Sequence, residues 1–224
     1  MIYLYTLDIT PYLEGGWQSL LEGLPARRQQ RALACRQAGD GARSAAAGWL
    51  LQYALTCAGI PREEQVFTEN PWGKPGLLGR DSPQFSLSHS GKWVACAVGE
   101  SPLGVDIESP RCTLAMARRF FHPGEVAAVE ALPPPEQPDA LCRLWVAKEA
   151  FLKAEGLGLR LPLSSLCVQL AKDGLSLAGD GRTAAYRFHE YPLGEGYRLC
   201  LCGEGERPVL TAVTNGPPSK QHTR

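Results

Sequence analysis

Gly104-Val105-Asp106-Ile107-Glu108 carries two acids in an apolar stretch, and Trp145-Val146-Ala147-Lys148-Glu149-Ala150-Phe151-Leu152-Lys153 follows it downstream. The β-branched residues at 105 and 107 mark the first stretch as a strand, in which alternate side chains share a face. Asp106 and Glu108 then leave one face with Cα atoms about 7 Å apart, two steps of about 3.3 Å each. Carboxylates so placed repel unless a cation lies between them, and oxygen donors of this kind suit a hard divalent ion such as Mg²⁺. Read alone, the pair also fits two solvated acids at a strand end, the commoner case.

The second stretch reads as part of a helix over residues 139–155, stopped by Gly156 and Gly158. At about 100° per residue, Leu141, Leu144, Phe151 and Leu152 form one apolar arc with Trp145 at its edge. Glu149 and Lys153 sit together on the adjoining arc, a spacing that by itself is a surface ion pair of about 0.3–0.5 kcal/mol. Lys148 falls within the apolar arc, where a cation is costly without a partner or an anionic ligand. An acid, two lysines and a Trp so arranged describe the wall of a pocket.

Outward from these stretches, the chain of 224 residues is long enough for one large core or two modest ones. Its 23 basic and 23 acidic residues cancel, so no global field draws nucleic acid or an anionic membrane. No apolar run reaches the ~18 residues of a membrane span. The opening Met1-Ile2-Tyr3-Leu4-Tyr5 alternates like a strand and lacks a basic leader, so a cytoplasmic protein is expected. Eight cysteines lie scattered, mostly in apolar runs and with no C-x-x-C pair, a usage that fits buried, reduced thiols.

Two halves of similar size read alike in order. The first has an Ala-rich helix over 42–58 ending at Gly59, then strands near 66–67, 85–87 and 93–98. The second has the strand at 103–108, helices over 114–121 and 124–132, a Pro-rich loop over 133–138 and the helix over 139–155. Strands at 166–170, 175–177, 186–189, 197–202 and 209–213 finish the chain. The expected fold class is α+β. It comprises two similar halves related by a pseudo-twofold, each a mainly antiparallel sheet packed on a long helix, with the active site at their junction. The expected boundaries are 1–102, 103–216 and a disordered tail over 217–224.

The two opening motifs, in that order, resemble those of the 4′-phosphopantetheinyl transferases of the surfactin-synthetase-activating, holo-carrier-protein synthase type. Trp72-Gly73-Lys74-Pro75, Phe85-Ser86-Leu87-Ser88-His89-Ser90-Gly91, Arg118-Arg119-Phe120-Phe121 and Glu155-Gly156-Leu157-Gly158 also look like family elements, and together they cover about residues 25 to 160. The resemblance implies transfer of the phosphopantetheine arm of coenzyme A to a serine of an acyl, peptidyl or aryl carrier protein, leaving 3′,5′-ADP. It implies that Asp106, Glu108 and Glu149 hold Mg²⁺, that Glu149 is also the favoured base, and that Lys153 meets the diphosphate. Lys148 would be a second contributor near the scissile phosphorus, or a structural cation.

By the same resemblance the first half binds the nucleotide of coenzyme A. Arg28, Arg31, Arg43, Lys74, Ser88 and His89 are its expected contacts, although the run Arg27-Arg28-Gln29-Gln30-Arg31 also fits a solvated helix face. Arg118, Arg119, Phe120 and Phe121 with Val126 and Val129 are candidates for the carrier-binding surface, Phe120 fitting the core as well. A monomer is expected, since both halves are present in one chain. Two other functions share these features: a module that binds coenzyme A without turnover, and a metal-dependent diphosphate hydrolase.

Overall fold

The computed structural model describes residues 1–79, 82–171, 174–178 and 185–214. In chain order the elements are β1 (Ile2–Asp8), α1 (Thr10–Leu13), α2 (Ala26–Leu33), α3 (Ala38–Cys57), β2 (Phe67–Glu69), β3 (Pro75–Leu77), β4 (Gln84–Ser90), β5 (Trp93–Gly99) and β6 (Leu103–Glu108). There follow α4 (Leu114–Phe120), α5 (Pro123–Glu130), α6 (Gln137–Glu155), β7 (Cys167–Ala171), β8 (Gly174–Ala178), β9 (Arg187–Pro192), β10 (Arg198–Gly203) and β11 (Leu210–Val213). The tail expected over 217–224 lies outside the described residues.

The class is mixed α+β. One sheet has the order β11-β1-β5-β4 and a second β6-β10-β9, with β2–β3 and β7–β8 as separate hairpins. Among the described residues every pairing is antiparallel except β1 with β11, where Leu4 faces Leu210 and Leu7 faces Val213.

Strand alternation sorts the core into layers. Val94, Cys96 and Val98 of β5 face α3 and its Leu50 and Leu51. Cys200 and Cys202 of β10 face α6 and its Leu144, Ala147 and Phe151. The intervening residues pack the two sheets on each other: Ala95 and Ala97 from β5, Val105 and Ile107 from β6, Leu199 and Leu201 from β10. The result is helix, sheet, sheet, helix. Because Val105 and Ile107 face the other sheet, Gly104, Asp106 and Glu108 must face α6.

Three differences from the sequence reading have physical causes. Helix α3 starts at Ala38, not 42, because Gly39 and Gly41 do not break it. A Cβ on Gly41 would stand 3.0 Å from the Trp17 ring and 3.1 Å from Ala32 O, so the glycine is where α2 and Trp17 press on the helix. Strand β3 was not expected, and it exists because Asn70-Pro71-Trp72-Gly73-Lys74 turns the chain back so that Phe67 pairs with Leu77. Finally, β11 joins the sheet of the first half, covering the outer edge of β1. A division at 102/103 is therefore crossed by the last strand.

Candidate active site

The two sheets meet edge to edge at β4 and β6 without a backbone ladder. Serines of β4 supply the bonds instead: Ser86 Oγ accepts from Val105 N at 3.0 Å and Ser88 Oγ from Ile107 N at 3.3 Å. Ser88 Oγ also donates to Asp106 Oδ1 at 2.7 Å, and Ser90 Oγ donates to Glu108 Oε1. All three serines are buried. Their i, i+2 spacing puts three hydroxyls on one strand face, and that seam fixes one oxygen of each acid.

Helix α6 crosses above the seam at very short range. A Cβ on Gly104 would lie 2.0 Å from Ala150 O and 2.5 Å from Ala154 N, so only glycine admits this approach. It lets Lys153 Nζ reach Asp106 Oδ1 at 2.7 Å and Val105 O at 3.1 Å. Glu149, one turn back, is half-buried and has no hydrogen bond or ion pair among the described residues. Burial raises its titration, Asp106 raises it further, and Lys153 opposes both. Two acids lie beside one lysine.

A cavity of about 290 Å³ opens beside this group, lined by Trp72, Lys74 and Pro75 of the β2–β3 turn, Phe85, Ser86 and Leu87 of β4, and Glu149, Leu152 and Lys153 of α6. Asn70 anchors the turn: its Oδ1 accepts from the backbone N of Trp72 and Lys74, and its Nδ2 donates to Gly156 O at 2.9 Å. Gly156 ends α6 in the left-handed conformation with φ 68°, where the loop docks. Lys74 Nζ donates to Leu103 O and Ala154 O, and burial pushes its titration down to about 8.

Cations border the site on the first-half side. His89 is exposed at the end of β4, and its titration is lowered, first by desolvation and then by Arg43, Lys153 and Arg31. Arg28 on α2 is lowered likewise by desolvation, Arg31 and Arg27. Arg43 donates to Gly91 O at 3.1 Å and to Asp40. His89 and Arg28 thus lie where other cations disfavour their charge, a setting that suits an anion.

A family model described as the 4′-phosphopantetheinyl transferase superfamily matches residues 102–202. A 4′-phosphopantetheinyl transferase of Bacillus subtilis is 39% identical over 153 residues, covering 67% of this chain and 66% of the relative. The 4′-phosphopantetheinyl transferase Sfp of Bacillus subtilis (strain 168) is 38% identical over 162 residues, covering 68% of this chain and 72% of the relative. The chain belongs to the 4′-phosphopantetheinyl transferase family. Its matched stretch takes in about two thirds of the length of these curated relatives. Among solved structures, the holo-[acyl-carrier-protein] synthase of Thermotoga maritima is similar with TM-score 0.39 and 19% identity, covering 47% of this chain and 64% of that one.

Of the expected site residues, Lys74, Glu149 and Lys153 line the cavity, and Glu108 borders a second, smaller pocket. Arg28, Arg31, Arg43, His89 and Asp106 lie outside the lining, and Lys148 and Ser88 are spent on other bonds. Lys148 is fully buried, and its Nζ donates at 2.6 Å to both oxygens of Glu125 and to Leu166 O. All three donors are taken, so Lys148 is a structural cation and reaches no phosphorus. Ser88 is 7% exposed and its hydroxyl is engaged by Asp106 and Ile107, so it orients the acid from behind. Sequence reasoning missed Glu125, Ser86 and Ser90, and the i, i+2 serines of β4 were the available signal for the last two.

The expected carrier-binding residues also divide. Phe121 and Val129 are buried. Phe120 is 41% exposed, with the Arg119 guanidinium 5.1 Å from its ring centre. Arg118 forks onto Glu130 Oε1.

For a metal, the donors offered are carboxylate oxygens, the kind a hard divalent cation takes. Hydrogen bonds engage one oxygen each of Asp106 and Glu108, and Glu149 is unpaired among the described residues. The described residues form no ready-made group of three or more metal-binding side chains. The donors present, the second oxygens of Asp106 and Glu108 and the carboxylate of Glu149, are of the kind Mg²⁺ takes, with co-substrate and water needed for the rest of its shell.

Proposed function

We propose that the cavity beside α6 is where this family member transfers the 4′-phosphopantetheine arm of coenzyme A to a serine of an apo carrier protein, leaving 3′,5′-ADP. The observation that carries this reading is Glu149 and Lys153 at one wall of a cavity whose other wall comes from the first half, with Asp106 bonded to Lys153 behind that wall. The serine oxygen forms a bond to the phosphorus that bears the pantetheine arm. The bond from that phosphorus to the bridging oxygen breaks, and the bridging oxygen leaves with 3′,5′-ADP. Glu149 accepts the serine proton, directly or through water. Its raised titration and lack of a partner support that role.

Lys153 holds Asp106 in place and offers positive charge to the diphosphate. Arg28, Arg31, Arg43, Lys74 and His89 hold the phosphates and the nucleotide, Arg43 by its forked guanidinium. Mg²⁺, held by Asp106, Glu108 and Glu149, would neutralise charge on the diphosphate when bound. In this reading residues 1–102 serve the nucleotide and 103–216 the chemistry, the two halves being related by a pseudo-twofold. The protein works as a cytoplasmic monomer. No described helix is long and apolar enough to cross a membrane.

The test mixes the protein with apo carrier protein, coenzyme A and Mg²⁺ and weighs the carrier by mass spectrometry. A phosphopantetheine-sized gain is expected, and Asp106→Ala should abolish it. Release of 3′,5′-ADP with an unchanged carrier would instead identify a hydrolase, and bound but intact coenzyme A a binding module.

A further inference from the structure

The hairpin β2–β3 belongs to neither larger sheet, yet the turn at its tip supplies the Trp72, Lys74 and Pro75 wall of the cavity. Its base is fixed in the first-half core, where Phe67 meets Phe85 edge-on with ring centres 6.0 Å apart and Leu77 is buried. A two-stranded hairpin holds itself poorly in water, so the place of its tip depends on what the tip is bonded to. Side chains of the tip reach β6 and the end of α6. Lys74 Nζ donates to Leu103 O and Ala154 O, each at 3.2 Å, and the Trp72 ring has the Arg160 guanidinium 4.0 Å from its centre. Asn70 Nδ2 donates to Gly156 O at 2.9 Å.

Asn70 also shapes the tip. Its Oδ1 accepts from Trp72 N at 2.9 Å and from Lys74 N at 2.8 Å, and its backbone closes the turn, Asn70 N donating to Lys74 O and Gly73 N to Asn70 O. The two backbone N–H groups require an oxygen and Gly156 O requires a donor, so the amide has one orientation. The seat is close: a Cβ on Gly156 would stand 3.2 Å from Asn70 Nδ2 and 2.9 Å from Lys74 Cδ. One short side chain thus folds the wall and fixes it on the C-terminus of the helix that carries Glu149 and Lys153. We infer that Asn70 is a positioning residue that sets the Trp72–Pro75 wall at the distance from α6 the co-substrate needs. This rests on the reading of the cavity as the coenzyme A site. Asn70 does not line the cavity, so its loss acts on co-substrate affinity and not on the chemical step. When the tip is seated for only part of the time, apparent affinity falls by that fraction.

The test is the steady-state kinetics of carrier modification by Asn70→Ser, with coenzyme A varied. The serine hydroxyl still accepts from the turn but is too short to bridge to Gly156 O as well. KM for coenzyme A should rise about ten-fold, while kcat and KM for the carrier protein stay within about two-fold. A role confined to stability would instead shrink the active fraction, so kcat would fall with KM for coenzyme A unchanged, and that result would overturn the inference. Lys74→Met separates this failure from that of the reading. If it raises KM for coenzyme A while Asn70→Ser does not, only the inference falls. If it leaves KM unchanged, the cavity is not the coenzyme A site and the reading falls. Should Asn70→Ser fail to fold, Asn70→Asp decides, since it keeps the acceptor for the turn and loses the donor to Gly156 O. At an ionic strength that screens the added charge, a raised KM for coenzyme A supports the inference and a wild-type KM refutes it.

Discussion

Lys148 and Lys153 stand five residues apart on one helix and do opposite work. Lys153 keeps a 30% exposed side chain between Asp106 and the cavity, whereas Lys148 is sealed with Glu125, both side chains 0% exposed. Removing one partner of such a buried pair strands the other's charge. Lys148→Met should therefore cost about 3–5 kcal/mol, read as a fall in the urea midpoint, and adding Glu125→Leu should recover only part of it, because His122 N and Val168 N then lose their acceptor. The apolar arc of α6 made the burial of Lys148 legible. Its partner was hidden because Glu125 also makes a local bond: it accepts from His122 N at 2.9 Å as half of a capping box, so in sequence it looks like a helix start. His89 gives a second prediction at this scale. With its folded titration lowered, the unfolded chain binds more protons just below the ordinary value of about 6.5, so this residue costs stability as pH falls through that window. A bound phosphate favours the protonated ring. The ratio of wild-type to His89→Gln affinity for coenzyme A, measured calorimetrically without carrier, should thus rise as pH falls from 8 to 5.5. A ratio that stays flat would remove His89 from the phosphate contacts.

At the level of elements, the site depends on how closely α6 lies over β6. Period-two alternation already assigned Asp106 and Glu108 to one face, and helical spacing assigned Glu149 and Lys153 to one arc. That the two face each other follows from Val105 and Ile107 being claimed by the opposing sheet. The closeness itself was written in Gly104, but a glycine in a strand has several readings, and only the packed structure selects one. Gly104→Ala would drive a methyl into the backbone at Ala150 and Ala154, which cannot yield as a flexible side chain could. The cost should be about 3 kcal/mol or more, a drop of about 6–12 °C in Tm for a chain of this size. Activity should fall with it at temperatures where the protein stays folded, because Lys153 is lifted from Asp106. An unshifted melting curve would show that α6 has room the geometry denies. The 42–58 helix and the 66–67 strand were misjudged for the same reason. Their ends are set by contacts with Trp17, Ala32 and Leu77, residues distant in sequence that local propensity does not see.

For the whole molecule, the order of elements suggested two halves, but two sets of bonds across the 102/103 boundary were not legible. One is the serine seam, in which β4 satisfies the N–H groups of Val105 and Ile107. The other is β11, which returns from the second half to pair with β1. Both leave polar backbone groups unmet if the halves part, and buried unmet groups cost about 1–3 kcal/mol each. Residues 1–102 alone would present β1 and β4 as two open edges, with Leu4, Ala95 and Ala97 stripped of the opposing sheet. The fragment 1–102 should therefore show no cooperative thermal transition by circular dichroism, and it should aggregate at concentrations where the whole chain is clear. Mixing it with residues 103–224 should restore a transition, since the seam needs only side-chain and edge contacts and no covalent link. A sharp, two-state melt of 1–102 by itself would mean that neither β11 nor the seam is needed for the first half to fold, and the site would then sit between two independent domains.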